Sequence, residues 1–144
     1  MSTFTEREQL IEIINKLFIY TDHRNWDQLE QEVFSERVHL DMSSMGGEAR
    51  ELTSREICQN WAEGFKDIDV INHLGGNYLV TITGAVATVF AYATATHYKK
   101  AAKRGSTRDF VGSYQFELSK GSRGWRIDKM TYTLRYALGN LQLK

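Results

Sequence analysis

A change of hydrophobic period near Val70 constrains this chain more than any other feature of its sequence. Before it, apolar residues recur at helical spacing. Leu10, Ile11, Ile13, Ile14, Leu17 and Phe18 form one wide face. Thr5-Glu6-Arg7-Glu8 has the pattern of a capping box, in which a hydroxyl and a carboxylate satisfy the first free amides of a helix. A helix is therefore expected over about Thr5–His23. Asn25 is placed to cap a second helix, with Trp26, Leu29, Val33 and Phe34 facing inward. Val38–Met42 alternates and reads as a short strand, and Ser43–Gly47 as a loop. Thr53-Ser54-Arg55-Glu56 is a second capping box, opening a helix with Ile57, Trp61 and Phe65 on one face.

Beyond Val70, β-branched and aromatic residues dominate and helical spacing disappears. Strands are expected at Asn77–Thr83, Val86–Lys99, Arg108–Ser119 and Trp125–Leu138. The breaks between them fall at Gly84-Ala85, at the basic segment Lys99–Gly105 and at Gly121–Gly124. Long strands joined mostly by short turns make an antiparallel meander. Helices first and strands afterwards predict an α+β fold, with three N-terminal helices on one face of a curved, mostly antiparallel sheet. The length, 144 residues, suits one domain spanning 1–144. Alternation puts Val89, Ala91, Ala93, Ala95 and His97 on one face of their strand and Phe90, Tyr92, Thr94 and Tyr98 on the other. Small residues opposite Phe110, Tyr114 and Phe116 favour a concave sheet that leaves a hollow.

Charge and cysteine content narrow the partners. Lys plus Arg and Asp plus Glu number 18 each, so zero net charge gives no footprint for nucleic acid or an anionic membrane. Lys99, Lys100, Lys103 and Arg104 form one solvated basic loop rather than a binding surface. A lone cysteine, Cys58, allows neither an intrachain disulfide nor a Cys-rich zinc site. No apolar run is long enough for a membrane span, and Met1–Glu8 is too polar for a signal core, so a cytoplasmic location is expected.

The chain has no Gly-rich phosphate loop, HExxH, GxSxG or CxxC motif. Its chemistry-bearing residues are four histidines and a few carboxylates. His73 lies in the apolar stretch Val70–Gly76, where a neutral imidazole can serve as a base near neutral pH or as a structural group bonded to backbone. His97 ends a strand of small residues, as a site group or a rim residue. His23 ends the first helix, where a cation suits the dipole, and His39 alternates outward from Val38 and Leu40. Asp22 lies one turn past Phe18. A carboxylate at a helix C-terminus is electrostatically unfavourable, so it either caps the following turn or answers a partner elsewhere.

The segment Tyr20-Thr21-Asp22-His23-Arg24-Asn25-Trp26-Asp27-Gln28-Leu29 resembles the "aromatic, x, Asp, two or three residues, Trp-Asp-x-Leu" signature of SnoaL-like proteins in the nuclear transport factor 2-like superfamily. Within it, the group of scytalone dehydratase and hexachlorocyclohexane dehydrochlorinase matches best. Val38–Asp41, Asn72–Asn77, Ala95–Tyr98 and Gly124-Trp125-Arg126-Ile127 resemble further family segments in order, over residues 5–137. The resemblance implies a cone-shaped α+β barrel that assembles as a homodimer or homotrimer. It implies lyase, isomerase or cyclase chemistry on a small apolar carbonyl- or hydroxyl-bearing molecule, without cofactor or metal. Asp22 matches the aspartate that hydrogen-bonds the catalytic base, His73 that base, and His97 the dehydratase's second histidine. Thr21 and Met42 stand where the dehydratase has tyrosines, and Tyr114, beside Ser113, where it has a substrate-binding asparagine. Tyr92 and Tyr132 are further candidate donors if their strands face the hollow. The altered recognition groups leave a second reading open: a ligand-binding or assembly module, such as a dioxygenase small-subunit-like protein. An oligomer also fits the many sheet aromatics, a share of Phe90, Tyr92, Tyr98, Phe116, Tyr132 and Tyr136 being expected on the outer face.

Overall fold

The computed structural model describes residues 3–144, so Met1 and Ser2 of the polar N-terminal stretch lie outside the described residues. Helix α1 (Glu6–Asp22) starts where Thr5 Oγ1 accepts the Glu8 amide at 3.1 Å. It buries Leu10, Ile13, Ile14, Leu17, Phe18 and Thr21. A short helix α2 (Trp26–Gln28) follows and widens into a π-helical turn over Leu29–Val33. Strand β1 (Phe34–Asp41) leads through a 3₁₀ turn at Ser43–Met45 to β2 (Arg50–Thr53). Helix α3 (Ser54–Phe65) carries the full capping box, Thr53 Oγ1 accepting from the Glu56 amide and Glu56 from the Thr53 amide. Strands β3 (Val70–Thr83), β4 (Val86–Tyr98), β5 (Thr107–Gly121) and β6 (Gly124–Gly139) complete the chain.

The sheet order is β2-β1-β6-β5-β4-β3. All neighbours are antiparallel except β1 and β6, which run parallel. The sheet is curved and unclosed, and its concave face packs on α1 and α3. Leu10, Ile14, Leu29, Val33, Val38, Ile57, Val89, Phe116, Leu118, Trp125, Ile127 and Met130 are wholly or almost wholly buried in this core. No helix among the described residues is long and apolar enough to cross a membrane.

Strand β1 starts at Phe34 rather than Val38, and three further elements differ from the sequence reading. The second helix is shorter than its apolar spacing suggested, because Phe34 already starts β1, and Asn25 makes no side-chain cap. Strand β2, too short to carry a periodic signal, pairs with β1 through Arg37↔Thr53 to Leu40↔Arg50. Strand β3 begins at Val70 rather than Asn77. Gly75-Gly76-Asn77 is a bulge inside it, with the register shifting between Gly76 and Leu79 and Asn77 at φ 57°. His73 therefore lies within a strand, opposite Ala95 of β4.

Candidate active site

Phe18 and Asp22 are one helical turn apart on α1 and leave the same face. Both meet His73 of β3. Asp22 Oδ1 lies 2.6 Å from His73 Nδ1, and Asp22 Oδ2 accepts the His73 backbone N–H at 2.9 Å. The Phe18 ring stacks on the imidazole, with centroids 5.3 Å apart and planes within 6° of parallel. One turn of helix thus holds the imidazole by its edge and by its face. An ionised carboxylate only accepts, so in the neutral ring the proton sits on Nδ1 and Nε2 keeps its lone pair. The pair is nearly out of water, with side chains 11% (Asp22) and 10% (His73) exposed.

Two backbone features make this possible. Arg24, at φ 57°, turns the chain after α1, and its guanidinium donates to the carbonyls of Phe65 and Ile68, tying the end of α1 to the end of α3. Gly75 lies two residues beyond His73 on the same strand face. A Cβ there would come 2.5 Å from the Phe18 ring, so only glycine lets that ring lie against the strand.

A cavity of about 400 Å³, mouth included, opens beside the pair. Helix α1 supplies Leu17, Phe18 and Thr21 to its wall, and α3 supplies Trp61 and Phe65. Met42, His73, Tyr114 and Met130 line the rest. The Thr21 hydroxyl donates to the Leu17 carbonyl at 2.6 Å and is thereby occupied. His73 Nε2, the Tyr114 hydroxyl and the Trp61 indole N–H are lining groups without a partner among the described residues. Burial pushes the Tyr114 phenol far above its ordinary pKa, and nearby Tyr132 and Asp22 add to that, so it stays protonated.

The other expected site residues fall elsewhere. His97 is buried behind Phe65, whose ring stands edge-on to it at 5.4 Å, and it does not line the cavity. Its Nδ1 accepts from Arg108 Nε at 2.9 Å, and Arg108 Nη1 donates to the Leu141 carbonyl at 2.7 Å. Burial first, then Arg108 and His73, push the His97 imidazole down to about pKa 4. Tyr132 is buried against Tyr114, with centroids 4.8 Å apart, and stands behind it rather than in the wall. Tyr92 and Ser113 pair across β4 and β5 on the outer face, where the Arg135 guanidinium covers the Tyr92 ring at 5.4 Å. Strand alternation sends both away from the hollow that their neighbours Ala93 and Tyr114 face. His39 is exposed, and His23 is an exposed C-cap. Among the described residues no group of three His, Cys, Asp or Glu side chains is placed to hold a metal.

Leu17, Phe18, Trp61, Phe65 and Met130 were visible in the sequence only as apolar residues, and nothing distinguished them from the rest of the core. Arg24 and Gly75 carried no recognisable signal, since their roles depend on contacts distant in sequence.

The fold is shared with solved structures. A protein of Kribbella flavida, Kfla4162, superposes with a TM-score of 0.91 at 23% identity, covering 96% of this chain and 95% of its own. A Novosphingobium aromaticivorans protein provisionally assigned as a scytalone dehydratase gives 0.79 at 13% identity, covering 94% and 87%. A type 2 hexachlorocyclohexane dehydrochlorinase gives 0.76 at 12% identity, covering 92% and 86%. Other neighbours bear the NTF2-like name. No curated protein sequence matches the chain. The SnoaL-like domain profile matches residues 2–131, the greater part of the sequence, and on that ground the chain belongs to the SnoaL-like domain family.

Proposed function

We propose that this chain is a cofactor-independent, dehydratase-like enzyme of the lyase, isomerase or cyclase type. Its Asp22–His73 pair would act as general base on a small, largely apolar, carbonyl- or hydroxyl-bearing substrate. One observation carries the reading: an imidazole fixed by a carboxylate at 2.6 Å, with its other nitrogen unpartnered in an apolar cavity. A proton on carbon beside a carbonyl or a leaving group is weakly acidic, so its removal needs a base within reach and out of water. In the reading His73 Nε2 takes that proton, while Asp22 holds the tautomer and stabilises the imidazolium once formed. Base catalysis of this kind contributes roughly 10²–10⁴-fold. Neighbours assigned as dehydratases and a dehydrochlorinase lend support at the level of fold.

The test is exchange of the acidic C–H of neutral ketones in D₂O, followed by NMR. His73→Ala should lose most of the exchange. Asp22→Asn should lose part of it, because the amide orients the ring without stabilising its charged form. Exchange as fast in His73→Ala as in the wild type would overturn the reading and favour a ligand-binding module.

The same reading takes the whole chain as one domain, cytoplasmic, and assembled as a homodimer or homotrimer. The outer sheet face supports assembly, with Leu74 74%, Leu79 69%, Leu138 57% and Tyr136 54% exposed. Exposed apolar side chains gathered on one sheet face are a surface that assembly would cover. Phe116 and Tyr132, counted among the residues able to face outward, point inward and are buried.

A further inference from the structure

We propose, on the basis of the function above, that the Tyr114 hydroxyl is the catalytic partner of His73, receiving the substrate's carbonyl oxygen as it becomes an enolate. The substrate class is then a neutral ketone or aldehyde with an acidic α-hydrogen.

Four observations converge. The cavity's unpartnered polar groups include one base, His73, and one hydroxyl, Tyr114. Phe18 packs against both, 5.3 Å from the His73 ring and 5.4 Å from the Tyr114 ring by centroid, and all three line one cavity, where one bound molecule would meet both groups. The Tyr114 ring is held from behind by Phe116, 5.4 Å away and 5° from parallel, and by Tyr132 at 4.8 Å. Tyr132 fits there because residue 112 is glycine, where a Cβ would come 2.6 Å from the Tyr132 hydroxyl. A donor fixed before the reaction, in a dry site, stabilises charge as it develops without reorganising. Finally, His97 cannot serve as that donor, because Phe65 separates it from the cavity and Arg108 engages its Nδ1.

Substrate charge follows from the same wall. It contains neither lysine nor arginine, and the nearest charge is the Asp22 carboxylate, so a substrate carboxylate or phosphate would lie buried without a counter-charge.

The step balances within these groups. His73 Nε2 takes the α-proton, and the C–H electron pair becomes the new C=C bond. The carbonyl π pair moves to oxygen, which accepts the Tyr114 O–H. Collapse of the enolate then either expels a β-substituent with its bonding pair or takes the proton back from His73 at another carbon.

Two measurements on Tyr114→Phe and His97→Gln test this. 4-Nitrophenolate is an enolate-oxygen mimic whose absorbance reports binding without turnover. Tyr114→Phe should weaken it at least about tenfold, and His97→Gln less than about threefold. In α-exchange of 2-tetralone, Tyr114→Phe should lower kcat about 10²–10³-fold with KM little changed. Phenolate binding untouched by Tyr114→Phe, or lost more in His97→Gln, would overturn the proposal. Weakened phenolate binding in Tyr114→Phe, with no exchange by the wild type, would retire the base reading and leave the Tyr114 assignment standing. Tyr114→Phe removes a hydroxyl with no protein partner, so the fold persists.

Discussion

Asp22 and His73 are 51 residues apart in sequence, and each looks misplaced until the other is in view. The carboxylate opposes the helix dipole at the end of α1, but it is satisfied by two N–H donors of one strand residue. Asp22→Ala strands both donors in a nearly dry site, so a loss of about 2–3 kcal/mol is expected. Asp22→Asn, which keeps an acceptor, should lose less in urea unfolding. His97 makes a second residue-scale prediction. In the folded chain its imidazole is held down to about pKa 4, whereas in the unfolded chain it titrates near its ordinary value of 6.5. Between those values the unfolded state binds the extra proton, so stability falls as pH drops from about 6.5 to about 4 and levels off below. The full swing is up to about 3 kcal/mol. His97→Gln should flatten that part of the profile in urea midpoints compared at pH 7 and pH 4.5. The sequence marked Asp22, His73 and Tyr114 as candidates. It did not separate them from Tyr92, Ser113 and His97, because facing the hollow depends on strand parity and on what stands in front.

At the scale of elements, one helix turn and one strand segment form the site together. Phe18 and Asp22 of α1 need a strand surface flat enough to approach, and Gly75 supplies it. Gly75→Ala should therefore push Phe18 off the strand, cost about 1–3 kcal/mol by overpacking and loosen His73. A lowered Tm together with weaker 4-nitrophenolate binding would show it, whereas a lowered Tm alone would mean that Phe18 does not position the imidazole. The elements were unevenly legible. The α3 capping box is local, and it formed as its four residues predict. The start of β3 was masked, because Gly75-Gly76-Asn77 has the composition of a turn while long-range pairing with β4 makes it a bulge. Strand β2 has only four residues and exists because β1 offers it a ladder.

At the scale of the whole molecule, the concave face of the sheet is covered by its own helices and the convex face is left bare. Leu74, Leu79, Tyr136 and Leu138 are exposed there. Sedimentation at micromolar concentration should give a dimer or trimer, and Leu74→Glu with Leu79→Lys should shift it toward monomer. A wild-type monomer would mean that this face is tolerated in water. The sequence by itself determined the α+β class, the capped helices α1 and α3 and the run of long strands after Val70, because period and capping are local properties. Tertiary structure decided that β1 runs parallel beside β6, that Tyr114 faces the cavity while Ser113 turns away, and that Phe65 screens His97. It also brought an α1 carboxylate to a β3 imidazole. These depend on register and on sheet curvature, which join residues far apart in the chain and leave no periodic trace in either partner.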